Sequence, residues 1–239
     1  MTTLRVKIWR GNENEEGEFQ TFDVPARENQ TILDVVTEVQ RVQEPGLSYR
    51  FACRVGVCGS CAMTVNGKPR WTCRTHINAV AKDGEITIEP LRNMPVIKDL
   101  TCDMTEFFQK WQKAGGKFDG TITRKDPVAT LPPSDLKRQK ADAGIECINC
   151  AVCYSACDTV NWDSDYLGPA ALNRAWTLVN DERAANRQEV LDKAIGDSGC
   201  SSCHSQGNCT AACPVGLSPS QSIHGLKRMS LLSFLGKGI

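Results

Sequence analysis

Cys53-Arg-Val-Gly-Val-Cys58-Gly-Ser-Cys61 is the stretch from which the rest of the 239-residue chain can be read. Three cysteines sit at x4 and then x2 spacing, and after eleven intervening residues stands Cys73. The whole chain holds 13 cysteines, an odd number that cannot pair off completely. Its first residues, MTTLRVKIWRGNENEE, turn polar within ten positions and lack the apolar core of an export signal. Thiols in a reducing compartment are poor candidates for disulfides, so metal ligation is the better expectation and spacing selects the metal.

C-x4-C-x2-C with a distant fourth cysteine is the plant-type 2Fe–2S pattern, which assigns Cys53, Cys58, Cys61 and Cys73 to one cluster. Four thiolates around two irons require a short loop folded over the cluster. Gly56 and Gly59 lie between the ligands, where a backbone turning its N–H groups inward has little room for side chains. Such N–H donors to sulfur help set the reduction potential. Zinc is the competing reading, but structural zinc sites favour paired C-x2–4-C knuckles, which this triplet fits badly.

Outward from the loop, the first hundred residues predict a mixed β domain with one helix. Leu4 to Trp9 (LRVKIW) alternates as a strand does, and FQTFDV repeats the pattern beyond a polar turn over Gly11 to Gly17. Thr31 and Asp34 form a capping-box-like start, and Ile32, Val35, Val36, Val39 and Val42 follow at helical spacing, a stripe expected to be core. Asn66-Gly67 between AMTV and PRWTC signals a hairpin, and ITIEP (Ile86 to Pro90) closes this half. Gly115 to Gly144, with Pro132-Pro133 inside it, has the composition of a linker. The remainder predicts helices, including Ala170 to Val179 and Arg187 to Ile195.

That second half carries two related cysteine runs. Cys147, Cys150, Cys153 and Cys157 give C-x2-C-x2-C-x3-C, in which the fourth cysteine serves the other cluster of a pair. Cys203, Gln206, Cys209 and Cys213 repeat the spacing with glutamine at the second position. Cys147, Cys150, Cys153 and the crossing Cys213 therefore supply four thiolates for a 4Fe–4S cluster. Cys203, Cys209 and the crossing Cys157 supply three, which favours 3Fe–4S, because an amide oxygen from Gln206 is a weak iron ligand beside thiolate. Cys200, three residues before Cys203, is expected not to ligate, and the isolated Cys102 is expected to behave as a small buried hydrophobe.

Composition excludes several functions. Lys plus Arg equals Asp plus Glu at 28 each, so nothing attracts a polyanion and no nucleic-acid partner is expected. No run approaches the ~20 apolar residues of a membrane span. There is no G-x-G-x-x-G after a predicted strand and no convincing nucleophile–base arrangement among three histidines, His76, His204 and His224. Flavin or hydride chemistry is expected on another chain.

Taken together, CRVGVCGSCAMTVNGKP (Cys53 to Pro69), PVIKDL (Pro95 to Leu100), CINC from Cys147, LGPAAL (Leu167 to Leu172) and CTAACPVGL (Cys209 to Leu217) resemble the iron–sulfur subunit of the succinate dehydrogenase and fumarate reductase family. The resemblance spans essentially the whole chain. It implies an α+β protein with an N-terminal β-grasp plant-type 2Fe–2S ferredoxin domain (1–105) and a C-terminal all-α bacterial-ferredoxin-like domain (106–239). It also implies partners: a flavoprotein subunit where succinate and fumarate interconvert at FAD, and membrane-anchor subunits where quinone reacts. The 2Fe–2S, 4Fe–4S and 3Fe–4S clusters would form the wire between them, on a subunit lying peripherally on the cytoplasmic face of the inner membrane.

In relatives that oxidise succinate, a Trp after the first run and a His after a 3Fe–4S cysteine line the quinone pocket, and Trp162 and His204 stand at the matching places. Lys227, in HGLKRM, matches a basic residue near that quinone. One departure is Asp158, where the family usually has proline after the fourth cysteine of the first run. A quinol:fumarate reductase with the same clusters is the nearest alternative. A stand-alone multi-cluster ferredoxin is another, against which stands the apolar tail of Leu231, Leu232, Phe234 and Leu235. A zinc-stabilised interaction module is a third.

Overall fold

Alternation through Leu4, Val6 and Ile8 buries one face of the first strand, and a mixed sheet grows on both sides of it. The computed structural model describes residues 3–128 and 130–235. Two compact units emerge, one of residues 1–104 with 148–156 and the other of residues 105–147 with 157–239.

In the first unit β1 (Thr3–Asn12) pairs antiparallel with β2 (Glu15–Pro25). The helix α1 (Ile32–Val42) follows, then β3 (Ala62–Val65) and β4 (Lys68–Trp71), a hairpin turning on Asn66 and Gly67, both at positive φ. Asn66 also ties the turn down, donating to the Val80 carbonyl at 2.7 Å and accepting from the Thr87 N–H at 2.8 Å. β5 (Glu85–Glu89) runs parallel to β1, and the short β6 (Val96–Lys98) and β7 (Thr101–Cys102) complete the order β4-β3-β5-β1-β6-β7, with β2 beside β1.

α1 starts at the capping box read from the sequence: Thr31 Oγ1 accepts the Asp34 N–H at 3.2 Å and the Thr31 N–H reaches Asp34 Oδ2 at 3.0 Å. Ile32, Val35, Val36 and Val39 are mediocre helix formers, each costing about 0.5 kcal/mol against alanine. All four are buried against Val6, Ile8, Val24 and Ile86. Burial at about 1.5–3 kcal/mol per side chain outweighs propensity. Val42, expected in the same stripe, is instead exposed, because the chain leaves the helix at Gln43.

Two further expectations are corrected. Most of the predicted turn over Gly11 to Gly17 is strand, since β1 reaches Asn12 and β2 begins at Glu15. The two glycines make room for the Trp9 ring, which a Cβ on Gly17 would meet at 2.0 Å. The linker read over Gly115 to Gly144 likewise contains most of a helix.

That helix belongs to the second unit, whose elements are α2 (Thr105–Lys113), α3 (Leu136–Ile145), α5 (Asp158–Trp162), α6 (Pro169–Asn180), α7 (Arg187–Ile195), α8 (Asn208–Ala212) and α9 (Pro219–Phe234). The intervening α4 (Val152–Ser155) lies in the first unit. Asp135 caps α3 by accepting the N–H groups of Lys137 and Arg138 at 2.8 and 2.9 Å. Its Pro-Pro approach and Gly144 hid it, yet α3 packs on α6. Every residue of α6 except Arg174 is buried, which makes it the axis against which α3, α7 and α9 pack. Gly225 brings α9 onto that axis, as a Cβ there would lie 2.3 Å from the Trp176 ring. The chain is thus a mixed sheet with one covering helix plus a helical unit, the α+β class expected. Among the described residues no helix is long and apolar enough to cross a membrane.

Candidate metal centres

The loop ahead of β3 holds its sulfurs with its own backbone. Val57 and Val55 donate N–H groups to Cys53 Sγ at 3.3 and 3.4 Å, and the Cys53 N–H reaches Cys58 Sγ at 3.4 Å. The Val57 and Val55 donors, with Cys58 beside them, lower the Cys53 thiol to about 6, so the thiolate is the favoured form. Cys61 and Cys73 are buried against Leu33, Tyr49 and Trp71. Burial first, and then neighbouring Cys61, pushes the Cys73 thiol up to about 12, while the Gly56 N–H pulls the other way. Cys73 arrives on a tight turn, Thr72–Arg74, which Thr72 Oγ1 fastens by donating to the Cys61 carbonyl at 2.7 Å. Cys53, Cys58, Cys61 and Cys73 are thiols, not disulfides. A crowd of sulfurs, some supplied with N–H donors and one resisting ionisation beside its neighbour, suits positively charged iron.

Gly56 and Gly59 both have positive φ, +77° and +72°. A side chain on Gly56 would press on Trp71 and Arg74, and one on Gly59 would collide with Cys150. Cys150 reaches this loop because residues 148–156 are pinned to the first unit: the Arg92 N–H donates to Ser155 Oγ at 2.9 Å and Asn93 Nδ2 to the Tyr154 carbonyl at 3.0 Å. Cys153 lies buried in α4, just after Ala151 at φ 60°. In the second unit Cys147 closes the end of α3 through its N–H to the Gly144 carbonyl, and Cys213 closes α8 on Thr210.

Cys157, Cys203 and Cys209 come together in the second unit. Burial raises the Cys157 thiol, with the N–H groups of Val160 and Thr159 opposing and Cys203 adding to the rise. Burial followed by Cys157 raises Cys209 to about 11. Cys203 Sγ accepts the Ser205 N–H at 3.3 Å. Gln206 is exposed. Among the described residues no three His, Cys, Asp or Glu side chains are close enough to share a single metal ion. A cluster asks for less, since its thiolates bind different irons.

Around these sulfurs lie the other residues singled out from the sequence. The Trp162 and His204 rings meet edge to face with centroids 6.2 Å apart, and Trp162 is 64% exposed. Lys227 Nζ donates to the Cys203 carbonyl at 2.6 Å, so it is tied to the cysteine run. Asp158 Oδ2 accepts from Asn208 Nδ2 at 3.1 Å, joining the starts of α5 and α8. Cys200 is buried with Lys227 nearby, and Cys102 is buried with its thiol toward the Leu91 carbonyl. Tyr166, beside the Cys157, Cys203 and Cys209 thiols, was given no role by the sequence reading, because a lone tyrosine before a helix carries no metal-site signal.

Residues 4–109 match a family described as a 2Fe-2S iron-sulfur cluster binding domain, and residues 146–218 match a 4Fe-4S dicluster domain. A succinate dehydrogenase [ubiquinone] iron-sulfur subunit of Oryza sativa subsp. japonica is 38% identical over 205 residues, covering 84% of this chain and 71% of that one. The chain belongs to the succinate dehydrogenase and fumarate reductase iron–sulfur subunit family. Another relative, a fumarate reductase iron-sulfur subunit of Mycobacterium tuberculosis, is 36% identical over 219 residues, covering 87% of this chain and 84% of its own. The fold matches a chain of the Mycobacterium smegmatis Sdh1 complex in the apo form with a TM-score of 0.83 at 23% identity, covering 95% of this chain and 94% of that one.

Proposed function

We propose that this subunit passes electrons one at a time between the FAD of a flavoprotein partner and a membrane quinone, as part of a succinate:quinone oxidoreductase. Cys53, Cys58, Cys61 and Cys73 would hold 2Fe–2S, Cys147, Cys150, Cys153 and Cys213 would hold 4Fe–4S, and Cys157, Cys203 and Cys209 would hold 3Fe–4S. The clusters supply the one-electron chemistry when bound. The protein supplies ligation, N–H donors to sulfur and burial, the levers that set each potential.

The observation that carries this reading is the gathering of Cys157, Cys203 and Cys209 beside the exposed Trp162–His204 pair. An indole N–H and an imidazole at the surface offer hydrogen bonds to a quinone oxygen, and histidine can also relay a proton. Lys227, bonded to the Cys203 carbonyl, adds a positive charge at the same end. Val55 and Val57 are exposed around Cys53, and Leu231, Phe234 and Leu235 are exposed on and just beyond α9. Apolar surface of this kind fits docking to a flavoprotein at one place and to a membrane anchor at another. The subunit would then lie peripherally, on the cytoplasmic face of the inner membrane.

The same wire serves fumarate reduction, and the potential of the quinone sets the direction that runs. Affinity purification of the chain from its native membrane tests the proposal. Co-isolation with a flavin-bearing subunit and succinate-driven quinone reduction is the expected result. A chain that arrives alone and accepts electrons only from soluble donors would mean a free ferredoxin instead.

A further inference from the structure

Tyr166 is fully buried, at 0% exposure, and its hydroxyl has no hydrogen-bond partner among the described residues. Burying a hydroxyl without a partner forfeits its hydration, so a native fold that keeps it there needs a partner for it. The residue is firmly placed: its own N–H bonds to the Asp163 carbonyl at 3.2 Å, and the next residue's N–H bonds to the Ser198 carbonyl at 2.9 Å. Pro169 then starts α6, the buried axis of the unit. These bonds fix the backbone from which the ring projects.

What surrounds the hydroxyl is sulfur. Burial is the main cause that drives its acidity down, and the next are Cys203, Cys157 and then Cys209, the three thiols already placed together. The Cys203 thiol is near enough to interact with the hydroxyl, yet no bond of ordinary length forms between them. A phenol hydroxyl is protonated at ordinary pH and carries one O–H to donate, which an electron-rich sulfur can accept. The Ser205 N–H already donates to Cys203 Sγ from the backbone, so a second donor would converge on the same sulfurs from the side chain of Tyr166.

We propose that the Tyr166 hydroxyl donates a hydrogen bond to a sulfur of the cluster held by Cys157, Cys203 and Cys209, and so raises the reduction potential of that cluster. The inference rests on the reading of those cysteines as 3Fe–4S ligands. A donor to sulfur stabilises the form with more negative charge, which is the reduced one. Tyr166 takes no electron and loses no proton; its role is to position one dipole. A buried water satisfying the hydroxyl is the competing account, and it leaves the potential alone.

The test is a potentiometric titration followed by electron paramagnetic resonance, on the intact complex with wild-type Tyr166 and with Tyr166→Phe. No 3Fe–4S signal in the oxidised wild type would overturn the ligand reading, and the inference with it. With the signal present in both, Tyr166→Phe should keep its intensity while the equilibrium constant for reduction falls about tenfold, a drop of about 59 mV for one electron. An unchanged potential with the signal intact would overturn the role given to Tyr166 and leave the cluster assignment standing. Wild-type complex grown on 3-fluorotyrosine gives a second reading that does not depend on assembly of a phenylalanine variant. A more acidic phenol donates more strongly, so the potential of this cluster should rise, and no change would overturn the inference.

Discussion

The Gly59 backbone packs directly against Cys150: a Cβ built on Gly59 would lie 2.6 Å from the Cβ and 2.8 Å from the Cα of Cys150. The loop proposed for one cluster thus presses on a cysteine proposed for the next, with no side chain on the Gly59 side. So close a contact would keep the two proposed clusters near each other, and glycine at φ +72° is the residue that permits it. Gly59→Ala should force the two segments apart and strain the loop at a cost of about 1–3 kcal/mol. A lowered melting temperature together with weaker 4Fe–4S spectral intensity per chain is the expected outcome. A variant with wild-type melting and cluster content would show that the contact has slack.

Asp99 offers a second, purely structural prediction. Its buried carboxylate accepts from Arg10 Nε at 2.9 Å, the Ser48 N–H at 2.8 Å and the Gly11 N–H at 3.3 Å. Asp99→Ala would strand these donors and leave the mostly buried Arg10 with Glu44, 3.3 Å away, as its remaining carboxylate neighbour. The expected loss is about 2–4 kcal/mol, readable by denaturant titration of the complex or of whichever unit unfolds first. Losses under about 0.5 kcal/mol would mean that water replaces the carboxylate.

How much of this was legible beforehand varied with the physical signal. Periodicity gave β1, α1 and α7 because buried faces repeat at 2 or 3.6 residues, while α6, buried nearly all round, was legible from its long, mostly apolar stretch. Cysteine spacing pointed to the sets that the fold gathers at Cys53–Cys73 and at Cys157, Cys203 and Cys209. α3 was missed because its sequence, LKRQKADAGI, has no apolar stripe, and its packing on α6 is a tertiary fact. Tyr166 was missed for a similar reason, since nothing in YLGPA says which thiols its hydroxyl will face. The passage of residues 148–156 into the sheet unit was also invisible, because it depends on Arg92 and Asn93 bonding across some sixty residues of chain.

Gln206 stands where a second thiolate would complete four ligands, and it is exposed. Gln206→Cys should therefore convert the three-thiolate site into one that retains a fourth iron. The oxidised-state 3Fe–4S signal should disappear, the potential should fall, and quinone-linked turnover should drop about tenfold or more. Iron and sulfide analysis with electron paramagnetic resonance checks this, and an undiminished 3Fe–4S signal would mean that position 206 does not face the cluster.

Substituting Trp162 and His204, proposed to line a quinone site, should separate quinone chemistry from the rest of the wire. Each would contribute one hydrogen bond worth about 1–1.5 kcal/mol, so His204→Ala or Trp162→Phe should slow quinone reduction about tenfold. Electron delivery from succinate to a soluble dye should stay near the wild-type rate. Equal loss of both activities would make the pair structural.

The central claim, three different clusters on three sets of cysteines, is tested most directly by electron paramagnetic resonance on the anaerobically purified complex, oxidised and then stepwise reduced. The account predicts a 3Fe–4S signal in the oxidised sample, a 2Fe–2S signal on reduction, and a 4Fe–4S contribution at still lower potential. A second 4Fe–4S cluster in place of the 3Fe–4S signal would contradict it, and would make Gln206 or Cys200 a ligand.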